Sequence, residues 1–330
     1  MTASEVIVLG RRDVAALMRP ADWLAAVEAG YRALVRGEAE APGPLHLPAD
    51  GGGFHAKGAS FRDGGRAWAA LKVNGNFPGN PAARGLPTVQ GAVLLFDAET
   101  GSPLAVMDSI ELTLRRTAAA TALAARSLAR ANAAVAAVCG CGAQAGPQLE
   151  ALAAVLPLSR ALAWDADPAR AEAFAAGFQG LPVTAVAGLE ESTREAEVIV
   201  TCTTACEPFL HPRHVRPGTF VAGVGADSPH KSEIAPALMA WARVVCDSVG
   251  QALAMGDLRH AVAAGAMTVD QVAGDLAGLV SGAVEGRQAD DQITLFDSTG
   301  MGLQDVAAAA RIYVRALAAG AGFACALGAA

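Results

Sequence analysis

The chain has 330 residues and a formal net charge of −7 at neutral pH, with 53% hydrophobic but only 5% aromatic residues. That length suits two domains, or one large domain with an insertion, and alanine supplies much of the apolar content, so closely packed helices are expected. The acidic balance argues against nucleic acid or an anionic membrane as partner. No stretch is long and apolar enough to span a bilayer, and the start, MTASEVIVLGRRD, lacks the pattern of a secretory signal, so a cytoplasmic location is expected.

In chain order, residues 22–36 have the spacing of an amphipathic helix, and residues 41–48 read as a proline-punctuated connector. Strand-like runs follow at 54–59, 68–73 and 90–97, the last continuing into a hairpin whose loop is 97–103. Strands placed before any strand–helix alternation predict a separate α+β domain. Residues 110–129 then predict one long helix. Strands at 135–139, 161–164, 183–186, 198–202, 220–223, 244–246 and 293–297, mostly separated by helices, predict a doubly wound parallel sheet, and 303–318 a final helix that packs back on the first domain. The expected division is 1–116 with 303–330 as substrate and dimerisation domain, and 117–302 as nucleotide-binding domain.

The stretch VAAVCGCGAQAG, Val135 to Gly146, ends an apolar run in a glycine turn. Gly140 suits a tight backbone turn, Gly142 allows close approach of a pyrophosphate, and Ala145 sits where a small residue lets the next helix pack closely. The following helix start would face the phosphates with free N–H groups. Asp165 lies about twenty residues on, where an acid would accept from a ribose 2′-hydroxyl. Its other reading is a helix N-cap before Pro168. No cation stands directly beside it, which favours NAD(H), while Arg170 leaves NADP(H) open.

Cys139, Cys141, Cys202, Cys206 and Cys246 fall in or beside predicted strands and read as reduced core residues. Cys202 with Cys206 and His211 with His214 have metal-like spacings, but Pro208 and Pro212 break the segment, so no metal site is expected.

Several stretches together resemble the ornithine cyclodeaminase and mu-crystallin family: KVNGNFPGN from Lys72, GLPTVQG from Gly85, AVMDSIELTLRRTAAATA from Ala105, GCGAQAG from Gly140, GADSPHKSE from Gly225 and FDSTGMGLQD from Phe296. The resemblance runs over nearly the whole chain. It implies a homodimer, an α/β fold with a doubly wound Rossmann sheet plus an α+β domain, and hydride transfer at the α-carbon of an amino or imino acid.

By the same resemblance, Lys72 contacts the substrate carboxylate, and Arg116 reaches that carboxylate or the cofactor phosphates. Thr88, Thr117, Ala143, Gln144, Asp165, Thr203, Val224, Asp227 and Ser298 fall at cofactor contacts. Asp227 also matches an acid that serves in proton transfer, and Lys231 the lysine that follows it. Without the family, Asp227 reads as an N-cap before Ser228 and Pro229.

The chain departs from the family at three places. Pro44 stands where members active on ornithine carry an arginine, and His55 and Lys57 stand near positions usually held by an acid and a methionine. Alternate residues of a strand share a face, so His55 and Lys57 point the same way, and Lys57 is expected to replace the missing guanidinium. Ornithine cyclisation thereby loses support. Reduction of a small cyclic imino acid, Δ1-pyrroline-2-carboxylate to proline, is the expected activity. An ornithine cyclodeaminase, an alanine-type dehydrogenase and a non-catalytic small-ligand-binding protein are the alternatives.

Overall fold

A computed structural model describes residues 5–327, which form two compact units. Of the described residues, 5–116 and 301–327 make up the first and 117–300 the second, and the division falls within the helix Ser109–Leu128. No helix among the described residues is long and apolar enough to cross a membrane.

The first unit is built on a mixed sheet. Its strands run in the order Phe323–Ala326, Glu5–Leu9, Pro103–Asp108, Val89–Asp97, Arg66–Asn76, Gly52–Asp63 and Ala39–Glu40, with Leu45–Ala49 also paired to Gly52–Asp63. The two-residue period sorts the side chains cleanly. Trp68, Ala70 and Lys72 are buried, while Leu71 and Val73, on the opposite face, are exposed. The helices Pro20–Val35 and Gly302–Ala319 pack on each other, and both lie against Gly52–Asp63. Pro20 opens the earlier helix, where its missing N–H costs nothing, and the Asp22 carboxylate accepts from Arg19 N–H at 3.0 Å. The core of this unit includes Leu9, Tyr31, Leu95, Met107 and Leu112, all fully buried.

Two sequence expectations change here. The segment 41–48 is more than a connector, because Leu45–Ala49 forms a strand joined to Gly52–Asp63 through a turn in which Gly51 takes φ 75°. Pro48 is tolerated because this strand pairs on one side only. The residues Glu5–Leu9, read in sequence only for what they exclude, form a strand parallel to Pro103–Asp108.

The second unit holds the doubly wound sheet, all parallel, in the order Val183–Ala185, Arg160–Trp164, Val135–Cys139, Val198–Thr201, Phe220–Gly223, Thr294–Asp297, Arg243–Cys246 and Gly274–Asp275. The strand order reverses between Val135–Cys139 and Val198–Thr201, and ligands of such sheets bind beyond the carboxyl ends of the strands at that reversal. Its central strands are wholly buried, as in sheets covered on both faces, with Ile199, Val221, Val244 and Leu295 in one core cluster. The cysteines of the described chain are unpaired. Cys139 and Cys246 are core residues, whereas Cys206 is exposed and is not one.

Candidate active site

In the first unit the cationic candidates gather on the buried face of the sheet. Lys72, on the strand Arg66–Asn76, stands directly opposite Lys57 on the antiparallel strand Gly52–Asp63, so the two share a face. His55 is opposite Asn74 on the same face, and its ring lies 4.5 Å from that of His46 across the next strand pair. The Lys72 ammonium is 4% exposed. It donates to Thr113 Oγ1 at 3.2 Å and to Asp305 Oδ1 at 2.9 Å.

Arg116 reaches the same carboxylate from the helix Ser109–Leu128, its Nε donating to Asp305 Oδ1 at 2.8 Å. Its Nη1 donates to Gln304 Oε1 at 2.7 Å, and Gln304 Nε2 in turn donates to the Tyr31 hydroxyl at 2.8 Å. Arg115 points away and pairs with Glu111 at 2.9 Å.

The electrostatics follow from burial. Desolvation pushes Lys72 down to about 7, Arg116 and Lys57 push the same way, and Asp305 opposes them. Burial alone would raise the Asp305 carboxyl, but Arg116, Lys72 and Lys57 outweigh it and hold the group below its ordinary value. A buried patch with three cationic groups around one carboxylate is suited to a second anion of carboxylate size.

In the second unit the glycine turn is shaped as a nucleotide cradle. Gly140 has φ 98°, and a Cβ there would stand 2.7 Å from Thr203 Cγ2 and 2.9 Å from the Cys202 carbonyl oxygen. At Gly142 a Cβ would meet nothing within 4 Å, so the backbone faces open space. The helix that follows starts at Ala145, with Ala143 and Gln144 just before it. Asp165 is not the N-cap of the next helix, a role taken by Asp167, whose side chain accepts from Ala169 N–H. Asp165 instead accepts from Cys141 N–H at 2.7 Å and Asp167 N–H at 2.9 Å. Each of its oxygens keeps a lone pair for a ribose hydroxyl. Arg170 pairs with Asp167 at 3.6 Å.

Ser298 is 2% exposed, and its buried hydroxyl has no partner among the described residues, as a donor meant for a ligand would be. The open space at Gly142 and this orphaned hydroxyl fit a dinucleotide. Val224 follows the strand Phe220–Gly223 with its N–H on Thr201 O. Asp227 lies in the next loop, where no helix begins, and its half-exposed carboxylate takes Lys231 Nζ at 2.7 Å. Thr117 is buried, and Thr88 is half-buried ahead of the strand Val89–Asp97.

Sequence reasoning missed two organising acids. Asp305 is the first. Glu233 is the second: fully buried, it accepts from Thr201 Oγ1, Thr203 N–H, Thr203 Oγ1 and Gly225 N–H at 2.6–2.7 Å. It thereby ties together the loops that carry Thr203 and Val224. Burial pushes its carboxyl up to about 7, with Asp257 adding to the rise. The signal for both was a lone acid in an apolar setting, LQDVAAAA and KSEIAP.

The profile of the ornithine cyclodeaminase/mu-crystallin family matches residues 4–320. An alanine dehydrogenase of Archaeoglobus fulgidus is 35% identical over 313 residues, 95% of this chain and 96% of that protein. An iminosuccinate reductase of Paracoccus denitrificans is 36% identical, covering 92% of this chain and 94% of that one. Among solved structures, a Thermococcus litoralis Δ1-pyrroline-2-carboxylate reductase in complex with NADH and L-proline superposes with a TM-score of 0.92 at 29% identity, covering 96% of this chain and 99% of that one. An archaeal alanine dehydrogenase dimer with bound NAD gives the same score at 35% identity, covering 97% and 99%.

Proposed function

The chain belongs to the ornithine cyclodeaminase/mu-crystallin family, and on that premise we propose that it reduces the C=N bond of a small α-imino acid, with Δ1-pyrroline-2-carboxylate, giving proline, as the substrate we assign. It is an NAD-dependent oxidoreductase acting on amino or imino acids. The observation that carries the finer reading is the buried group of Lys57, Lys72 and Arg116 around Asp305.

The reaction adds a hydride to the imine carbon and a proton to its nitrogen. When bound, the reduced nicotinamide supplies the hydride. Gly140, Gly142, Ala143, Gln144, Ala145, Asp165, Thr203, Val224 and Ser298 would hold the dinucleotide, with Thr88, Arg116 and Thr117. Lys72, Lys57 and Arg116 grip the substrate carboxylate, converting binding energy into orientation of the imine carbon. Asp227, paired with Lys231, stabilises the protonated imine directly or through a water, and an iminium carbon accepts hydride more readily. His55, on the face of Lys57, borders the carboxylate clamp.

NAD(H) is the favoured cofactor. Asp165 offers a carboxylate to the 2′-hydroxyl, and the arginines five residues to either side, Arg160 and Arg170, are engaged by Glu195 and Asp167. We further assign a homodimer, supported by the exposed apolar side chains Leu45, Leu47, Phe54, Leu71, Val73 and Leu94 on one side of the mixed sheet. An alanine-type dehydrogenase is the second reading, favoured by the similarity to the Archaeoglobus protein over 95% of the chain.

Oxidation of NADH and NADPH is the test, measured against cyclic imines, α-keto acids with ammonia, and ornithine with NAD+. Turnover of a cyclic imine with NADH, without ammonia, is expected. Turnover only of pyruvate with ammonia would replace this reading by the second one, and no turnover of any imine would overturn it.

A further inference from the structure

We propose that Asp305 is the positioning residue of the carboxylate clamp, holding Lys72 and Arg116 together from the first turn of the helix Gly302–Ala319. The inference rests on the imino-acid reading of this site and concerns a residue that need not touch substrate.

Three observations carry it. Asp305 is 1% exposed, and one oxygen, Oδ1, accepts from both Lys72 Nζ at 2.9 Å and Arg116 Nε at 2.8 Å. The two cations sit on different elements, a strand and a helix, so a third group must set their separation. The acid is itself placed by backbone packing: a Cβ on Gly302 would stand 2.4 Å from the Gly58 carbonyl oxygen, so the start of the helix rests directly on the strand that carries Lys57. Finally, Gln304, the neighbouring residue, fixes the other side of the Arg116 guanidinium and is anchored by Tyr31.

The charges facing this point are Lys57 and Lys72 from the two strands, Arg116 from the long helix and Asp305 from the last helix, while the helix Pro20–Val35 brings the Tyr31 hydroxyl to Gln304. Two buried cations side by side repel, and the anion between them offsets that repulsion. A carboxylate in the first helical turn is also favoured by the helix dipole. Since the Asp305 anion stabilises the protonated form of Lys72, its removal lowers the proton affinity of that amine.

Asp305→Asn and Asp305→Glu test this on the full chain by two readouts. The first is a nuclear magnetic resonance titration of carbon-13-labelled lysine, with the Lys72 signal assigned by its loss in Lys72→Arg. The wild-type midpoint is expected near 7, and in Asp305→Asn it should fall by about one pH unit, a tenfold loss of proton affinity. The second is the pH profile of kcat/KM. Activity that needs the ammonium declines as pH rises through the Lys72 midpoint, so in Asp305→Asn the decline begins at lower pH, on top of a loss of about 100-fold at the optimum.

Asp305→Glu keeps the charge but moves it by one methylene. Its midpoint should stay near wild type while kcat/KM falls, and this arm stands even where the Asn variant does not fold. An unmoved midpoint in folded Asp305→Asn, or wild-type kcat/KM in Asp305→Glu, overturns the proposal. If the wild type reduces no imine, the imino-acid reading fails, while the titration still decides whether Asp305 governs Lys72.

Discussion

Gly302 allows the coupling between helix placement and catalysis to be tested without touching any charged group. A Cβ at this position would lie 2.4 Å from the Gly58 carbonyl oxygen and 2.8 Å from its carbonyl carbon. Both are backbone atoms of a paired strand and cannot swing aside. Restoring ordinary contact at 3.4 Å forces the helix start to retreat by about 1 Å. Asp305 lies in the same turn and retreats with it, stretching its 2.8 and 2.9 Å hydrogen bonds beyond useful length. Gly302→Ala should therefore destabilise the chain by about 1–3 kcal/mol, the usual cost of overpacking. It should also lower kcat/KM for the imine about 100-fold. Thermal unfolding and steady-state kinetics read the two effects. Gly142→Ala is the matched control, because its Cβ meets nothing within 4 Å: its melting temperature should stay put while its Kd for NADH rises. A Gly302→Ala protein with wild-type melting temperature and kcat/KM would refute the reasoning.

Lys57→Met should raise KM for the imino acid by at least about 10-fold, the value of one hydrogen bond to a charged group, with the melting temperature unchanged; unaltered kinetics would remove Lys57 from the clamp. In the second unit, burial pushes Asp257 up to about 6 and Asp297 well above the carboxylate range, with Asp257 adding to the latter. Their folded values exceed their unfolded ones, so the stability these two groups contribute is fully present below the ordinary carboxyl value, about 4, and is lost as pH rises through the folded values. Asp297→Asn keeps an oxygen acceptor for Leu258 N–H and should flatten the fall in melting temperature between pH 5 and pH 7.5; an unchanged slope would show that the acid carries no such penalty. Leu71→Asp, on the apolar face and 49% exposed, should shift sedimentation towards monomer, and an unshifted profile would exclude that face as the dimer contact.

Elements with a strong period were legible in the chain. The long helix read at 110–129 is observed as Ser109–Leu128, and the strand read at 220–223 as Phe220–Gly223. The glycine turn was legible as well, since φ 98° at Gly140 is a local requirement that only glycine meets easily. Leu45–Ala49 was not, because its proline and exposed alternation look like a connector until the pairing with Gly52–Asp63 is known. Asp305 and Glu233 escaped for another reason. An acid in a helix or loop reads as solvated; the apolar setting of these two hints at burial, and it takes tertiary contacts to show the two cations or four donors that hold them.

The departures at Pro44, His55 and Lys57 show how far a strand pattern can be taken. Alternation said that His55 and Lys57 share a face but left open which face. Register answers it: Lys57 pairs with Lys72 and His55 with Asn74, so both lie on the side that carries Lys72. A cation absent from one segment and another present on the strand paired with it are unrelated events in sequence. In an antiparallel sheet they meet, because a residue directly opposite stands about 5 Å away, within reach of the same carboxylate. On the proposed reading, a guanidinium in the connector and an ammonium opposite Lys72 are alternative ways of supplying the same charge. They differ in shape, since an ammonium is a point donor and a guanidinium a planar fork. A carboxylate held as proposed, through Lys57 and Lys72, would have its charge fixed more firmly than its plane, and the plane would be left to Arg116, which Gln304 and Asp305 hold from two sides.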